Sequence, residues 1–175
     1  MEKSAKFFRV FSNKIRFSIL KYLYTNKKVS VTELIKKANI SESSISDQLK
    51  VLKDADLVTY EKIGLFVYYS LNHEKLMDYV KEFKEKIGDT HNSIIHEIDQ
   101  DVFNDRKLNV YKILANENRC EILGYLVKNS YSVKDLMDLF YLEQPTISMH
   151  LLMLEKGNFL LAKKVGTKRI YSIKE

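Results

Sequence analysis

Little in this 175-residue chain marks covalent or metal chemistry: it has one cysteine, one proline and five glycines. With Cys120 alone, no disulfide can close within the chain, and a single thiol fits a reducing interior. Scarce Pro and Gly beside 45% hydrophobic and 30% charged residues is the profile of a helix-dominated globular protein, not a disordered one. No run approaches the roughly 18 apolar residues of a membrane span, and the N-terminus lacks a signal peptide's apolar stretch, so a cytoplasmic location is expected. Nucleotide-binding Gly-rich loops, metalloprotease His pairs and nucleophile elbows are also missing, so neither an enzyme nor a cofactor is expected.

Charge is unevenly spread. Residues 1–72 carry 13 Lys or Arg against 7 acids, residues 73–106 carry 5 against 9, and residues 107–175 carry 11 against 7. Two basic modules around an acidic connector suit a polyanion bound by the modules and avoided by the connector. A solvated lysine-rich surface is the bland alternative.

The most informative stretch runs from Ser41 to Leu71. Ile45, Leu49 and Leu52 fall at helical spacing after a Ser-rich opening, and two β-rich runs then flank Gly64. A shorter helical pattern, Val31 to Ala38, precedes it across a turn at Asn39 to Glu42. Helix, turn, helix and a two-stranded hairpin make a winged helix, which presents its second helix to the major groove of DNA.

This pattern occurs twice. At a shift of 102, Ser30, Val31, Leu34, Ile45, Ser46, Leu49, Leu52, Lys62, Gly64 and Tyr69 recur as Ser132, Val133, Leu136, Ile147, Ser148, Leu151, Leu154, Lys164, Gly166 and Tyr171. Upstream the shift is 103, with Asn13, Arg16, Ile19 and Leu23 recurring as Asn116, Arg119, Ile122 and Leu126. The expected fold is mainly α with small β wings: two tandem winged helix-turn-helix domains, 1–72 and 107–175, joined by a long amphipathic helix within 73–106. Each copy has about 70 residues, a marginal core, so the copies should share helices or dimerise.

Upstream of the motif, residues 3–11 read as a short amphipathic helix, and Ser12 or Asn13 offers an N-cap for a helix over 14–25. Arg16 there reads as an ion-pairing or phosphate-contacting residue, and Ser43 or its neighbours as the cap of the second helix of the motif. In the connector, Leu76, Val80, Phe83, Ile87, Ile94, Ile98 and Val102 recur at helical spacing over 74–103, with a bend near Gly88.

The run SISDQLKVLKDADLV, preceded by NKIRFSILKYL and followed by a Gly-tipped hairpin ending in VYYSL, resembles the ArsR-type winged-helix repressors. NENRCEILGYL, TISMHLLMLEKGNFL and VGTKRIYSI in the second copy resemble the same family. The resemblance implies operator binding to double-stranded DNA by a dimer, usually as repression, with dimerisation through the helix after the wing; here that is 74–103, which either packs the two copies of one chain into a pseudo-dimer or pairs with the same helix of a second chain, the homodimer being the favoured expectation. Two departures stand out. Gln48, beside Asp47, replaces the family's usual His, and Leu152 replaces its Lys in the second copy.

With Ile45, Leu49 and Leu52 inward, a helical wheel turns Ser43, Asp47, Lys50 and Asp54 outward, and in the second copy Pro145, Met149, Leu152 and Lys156. Base reading is expected from Ser43, Ser44, Ser46, Gln48 and Lys50, with Thr146, Ser148 and His150. Phosphate contacts are expected from Lys62 on the first wing and from Lys163, Lys164, Thr167, Lys168 and Arg169 on the second. Leu65, Phe66, Met149 and Leu152 look instead like a protein-partner surface.

ArsR-type proteins often sense metals through cysteines on the helix before the turn, but SVTELIKKA and SVKDLMDLF contain none. Asp89, His91, His96 and Glu97 on the connector read as helix-surface residues, since His91 and His96 point about 140° apart at five residues' spacing. No metal site is therefore expected. Two rival readings stay open: a winged-helix protein-interaction module, and a DNA-organising or segregation factor of a plasmid or virus.

Overall fold

The computed structural model describes residues 2–87 and 101–174. The first half runs α1 (Glu2–Phe11), α2 (Lys14–Thr25), β1 (Val29–Ser30), α3 (Val31–Ala38), α4 (Glu42–Asp54), β2 (Val58–Ile63), β3 (Phe66–Leu71) and α5 (His73–Ile87). After a 3-10 turn at Asp105–Lys107, the second half repeats the order as α6 (Leu108–Leu114), α7 (Glu117–Leu126), β4 (Tyr131–Ser132), α8 (Val133–Phe140), α9 (Gln144–Lys156), β5 (Leu160–Val165) and β6 (Lys168–Ile173). Each half carries a three-stranded antiparallel sheet with the long hairpin's second strand in the middle, β1-β3-β2 and β4-β6-β5.

The repeat extends to the caps. Asn13 Oδ1 accepts from the backbone N–H of Ile15 and Arg16 at 2.9 and 3.1 Å, and Asn116 Oδ1 accepts from that of Arg119 at 3.1 Å, so Asn13 rather than Ser12 opens α2. Ser30 with Glu33, and Ser132 with Asp135, form reciprocal capping boxes that start α3 and α8. The cap of α4 is Ser41, whose Oγ accepts from Ser44 N–H at 3.3 Å; Ser43 lies inside the first turn. Glu143 gives α9 no side-chain cap, and Pro145 fills its first turn, where the missing N–H costs nothing. Gly64 and Gly166, at φ +59° and +61°, occupy the first central position of each two-residue hairpin turn, where a Cβ would be strained.

The connector departs from the expected single helix. Its helix is described as far as Ile87; the expected bend at Gly88 and the stripe residues Ile94 and Ile98 lie outside the described residues, as do Asp89, His91, His96 and Glu97. Val102 and Phe103 stand in a turn rather than a helix. The reason is local: Tyr111 Oη donates to the carbonyl of Val102 and Lys107 Nζ to that of Asp101, both at 2.6 Å, and the Asp101 carbonyl also takes the N–H of Asn104 at 3.3 Å in a tight turn rather than a helical ladder.

The two halves share one core. Phe8 packs edge-on to Phe83 at 4.6 Å and stacks on Tyr111 at 5.9 Å, while Phe103 lies 5.9, 6.1 and 4.9 Å from the rings of Phe11, Phe17 and Tyr24. Helix α1 thus packs on α2 and α5 of its own half and on α6 and α7 of the other. Leu76, Val80 and Phe83 of the connector stripe are buried inside this same chain. Each such side chain stabilises the fold by about 1.5–3 kcal/mol, which relieves the small size of each half.

Candidate nucleic-acid interface

Helix α4 exists because Ile45, Leu49 and Leu52 anchor one side in the core, and that anchoring decides which side is free. Ser43, Ser46, Asp47, Lys50 and Asp54 are exposed, as the wheel expects, while Ser44 and Gln48 are half-buried. Gln48 is held from behind. Arg16 Nη1 donates to its Oε1 at 3.0 Å, while Nε and Nη2 of the same guanidinium donate to the carbonyls of Val10 and Arg9 at 3.0 and 2.8 Å. Arg16 is therefore neither an ion-pairing nor a phosphate-facing residue; it fastens the carbonyl end of α1 to the second helix of the motif. Because a guanidinium only donates, the amide NH₂ of Gln48 is left as its outward group.

The corresponding arginine of the second half does the same with different partners. Arg119 Nε bonds the carbonyl of Ile113, Nη2 that of Lys112 at 3.2 Å, and Nη1 reaches Met153 Sδ at 3.3 Å. The recurrence of Arg16 as Arg119 at the start of each helix was the sequence signal for this role.

His150 does not sit where base reading needs it. It is only 4% exposed, its Nε2 lies 3.5 Å from Asn118 Nδ2, and its Nδ1 is buried with no partner among the described residues. Burial, then the nearby Arg119 charge, lower its pKa, so the ring stays neutral. The inward turn follows from helical spacing: His150 adjoins Ile147, Leu151 and Leu154, all at 0% exposure. Thr146 and Ser148 are half-buried, and the outward side of α9 is Pro145, Met149, Leu152 and Lys156.

The wings differ in chemistry. Leu65 at the first tip is 93% exposed and Phe66 57%, with Lys62 exposed behind them. On the second, Lys163, Lys164, Thr167 and Lys168 are exposed. Arg169 is exposed too but engaged: its Nη2 bonds both carboxylate oxygens of Glu155 at 2.8 and 3.0 Å, latching the wing to α9. Between wing and helices lies a groove of ≈ 450 Å³ lined by Ser132, Lys134, Gln144, Thr167, Lys168 and Arg169 among others. Lys134 and Gln144 are additions to the expected set. Lys134 stands where the first half has Thr32, a gain of charge visible in the repeat.

Two helix faces, each beside a hairpin wing on a duplicated helix-turn-helix, define a winged-helix DNA-binding regulator. The model of the bacterial regulatory proteins of the arsR family matches residues 13–60 and 116–160, one match in each half, and the chain belongs to that family. Among its relatives, a transcriptional repressor SmtB homolog of Synechocystis sp. is 28% identical over 89 residues, 51% of this chain and 67% of the relative. The arsenical resistance operon repressor of Bacillus subtilis is 30% identical over 82 residues, 47% of this chain and 78% of the relative. The transcriptional repressor SdpR of the same organism is 35% identical over 71 residues, 41% and 78% of the two chains. A solved structure of a possible transcriptional regulator for arsenical resistance, 28% identical, covers 53% of this chain and 92% of its own, with a TM-score of 0.42. Reduced HlyU from Vibrio cholerae, 26% identical, covers 46% and 82% with a TM-score of 0.39. The chain is thus a DNA-binding transcription regulator, not an enzyme. Among the described residues, no helix is long and apolar enough to cross a membrane.

Proposed function

We propose that the chain is a sequence-specific repressor that binds double-stranded DNA and acts without sensing a metal. The observation that carries it is the exposed face of α4, where Ser43, Ser46 and Lys50 stand clear of the core beside Gln48, whose amide Arg16 aims. An amide NH₂ donates to acceptors such as guanine O6 or thymine O4, and Lys50 suits guanine. Phosphates are the partners of Lys62, Lys163, Lys164 and Lys168 and of Lys134 in the groove, which position the duplex without reading it. Metal independence is supported by the absence of cysteine from α3 and α8 and by the burial of Cys120, the one thiol in the sequence.

Repression is tested by placing the chain's own upstream region before a reporter, with and without the protein, and titrating zinc, cadmium and arsenite. Lowered expression that ignores all three is expected. Unchanged expression despite DNA binding points to the DNA-organising reading, and relief by one of the three ends the metal-free one.

A second reading is favoured by Leu65 at 93% exposure beside Phe66 at 57%, and by Met149 and Leu152 at 51% and 48%. Exposed apolar side chains grouped on a wing or helix face are what a protein partner covers. If Leu65→Ser with Phe66→Ser abolishes regulation while leaving duplex affinity intact, the first wing is a partner surface rather than a DNA contact.

A further inference from the structure

We propose that one chain is a complete two-site reader, in which α4 and α9 take the two unlike halves of an asymmetric operator; this rests on the DNA-binding reading above. The geometry begins with Phe8 and Tyr111, which occupy the same place in the repeat at the shift of 103 and stack on each other at 5.9 Å with planes 20° apart. Equivalent positions meeting one another are the mark of an isologous contact, the kind that two-fold symmetry produces between separate subunits. Here α1 and α6 make that contact within one polypeptide. Behind it the arginine links repeat: Arg16 holds the carbonyls of Arg9 and Val10, and Arg119 those of Lys112 and Ile113, each reaching on to the second helix of its own motif.

The contact is also built for unlike halves. Arg9 Nη2 bonds Glu117 at 3.1 Å, and the position equivalent to Glu117 in the first half is Lys14. Two first halves paired in this way would set Arg9 against Lys14, a repulsion that discriminates against the like pair. Lys21 bonds Asp105 at 2.7 Å, and its counterpart in the second half is Gly124, which has nothing to offer in return. The helix after the first wing is used internally as well, with Leu76, Val80 and Phe83 buried and α5 packed on α1 and α7.

Unlike halves carry unlike reading surfaces. The outward side of α4 is Ser43, Asp47, Lys50 and Asp54, polar throughout and able to bond base edges, whereas that of α9 is Pro145, Met149 and Leu152, suited to thymine methyl groups, with Lys156 at its last turn. An inverted repeat would present one of these faces with the wrong sequence. The operator that fits has a polar-read half and a thymine-rich half supported by the basic second wing.

The test is selection of bound duplexes from a random pool by the full chain and by Lys50→Ala, with the mass of the complex measured by sedimentation. One 20.6 kDa chain per duplex is expected, with a consensus of two unlike halves and a Lys50→Ala preference that relaxes in only one of them. Two chains on a palindromic consensus, with Lys50→Ala altering both halves alike, overturns the proposal and leaves the regulator reading standing. Failure to enrich any duplex overturns the regulator reading and this proposal with it.

Discussion

Arg16 Nη1 lies 3.0 Å from Gln48 Oε1, so the second helix of the first motif is tied through one guanidinium to the end of the helix that joins the two halves. Lysine at this position has one ammonium and no planar fork, and cannot serve three acceptors set at these angles. Arg16→Lys should lower stability by about 1–2 kcal/mol, since it takes the guanidinium donors from the partly buried carbonyl of Val10 and from Gln48 Oε1. It should also weaken duplex binding by more than that loss of folded protein explains. Urea unfolding alongside a binding titration checks both; an unchanged variant would mean the link does no positioning.

Lys50 and Lys168 should fail differently. Lys50 is on the exposed side of α4, and Lys50→Ala should cost about 1–3 kcal/mol in binding and relax preference at one base pair. Lys168 stands on the second wing, lining the groove with Lys134, and Lys168→Ala should weaken every duplex alike and reduce the salt slope by about 1. Affinities for a set of single-base operator variants separate the two patterns. Wild-type behaviour in both variants would show that the interface lies elsewhere.

Stability should fall on mild acidification because of His150. Burial and Arg119 lower its pKa in the folded chain, whereas the unfolded chain takes up the proton near the ordinary value of about 6.5. Protons therefore favour the unfolded state: this contribution is fully present above about pH 6.5 and is lost as the pH falls toward the folded pKa. His150→Gln places there the residue the first half carries at Gln48, able to accept from Arg119 as Gln48 does from Arg16. Urea midpoints at about pH 7.5 and 5.5 should differ less in the variant than in the parent, the other histidines being common to both. Equal differences would mean that His150 is not a proton-linked group.

Cys120 should be inert in the folded chain. Burial pushes its thiol up to about 12, and Sγ bonds the carbonyl of Leu114 at 3.1 Å. A thiol-reactive dye should label it only after denaturant is added, because the thiolate is the reactive form. Rapid labelling under native conditions would contradict the core assignment.

What was legible in the sequence was what local periodicity records. The spacing of Ile45, Leu49 and Leu52 sets both the helix and its outward side, and the repeat at 102 carried the second half with it. The resemblance to ArsR-type repressors rested on that same stretch. The family pattern places His150 among the readers, but its position three residues from Ile147 and four from Leu154 puts it at the edge of the inward side, where Gln48 of the first half is half-buried and His150 is buried. The turn at Val102 and Phe103 is hidden because their spacing continues the apolar stripe, and the bonds from Tyr111 and Lys107 that hold it leave no mark in that spacing. The bond from Arg16 to Gln48 spans 32 residues, and no local rule reports it. That the halves share helices follows from the small size of each, but which residues meet does not, since Phe8 and Tyr111 look like ordinary core residues until they are brought face to face.

Salt dependence of duplex binding reaches the central claim most directly. A labelled duplex from the chain's own upstream region, titrated by fluorescence anisotropy between about 50 and 200 mM salt, should lose roughly 10³ to 10⁵ in affinity if 6 to 10 phosphates are neutralised, as is expected of two basic modules. Affinity that ignores salt, or no binding to any duplex at the lowest salt, would contradict the account of this chain as a DNA-binding regulator.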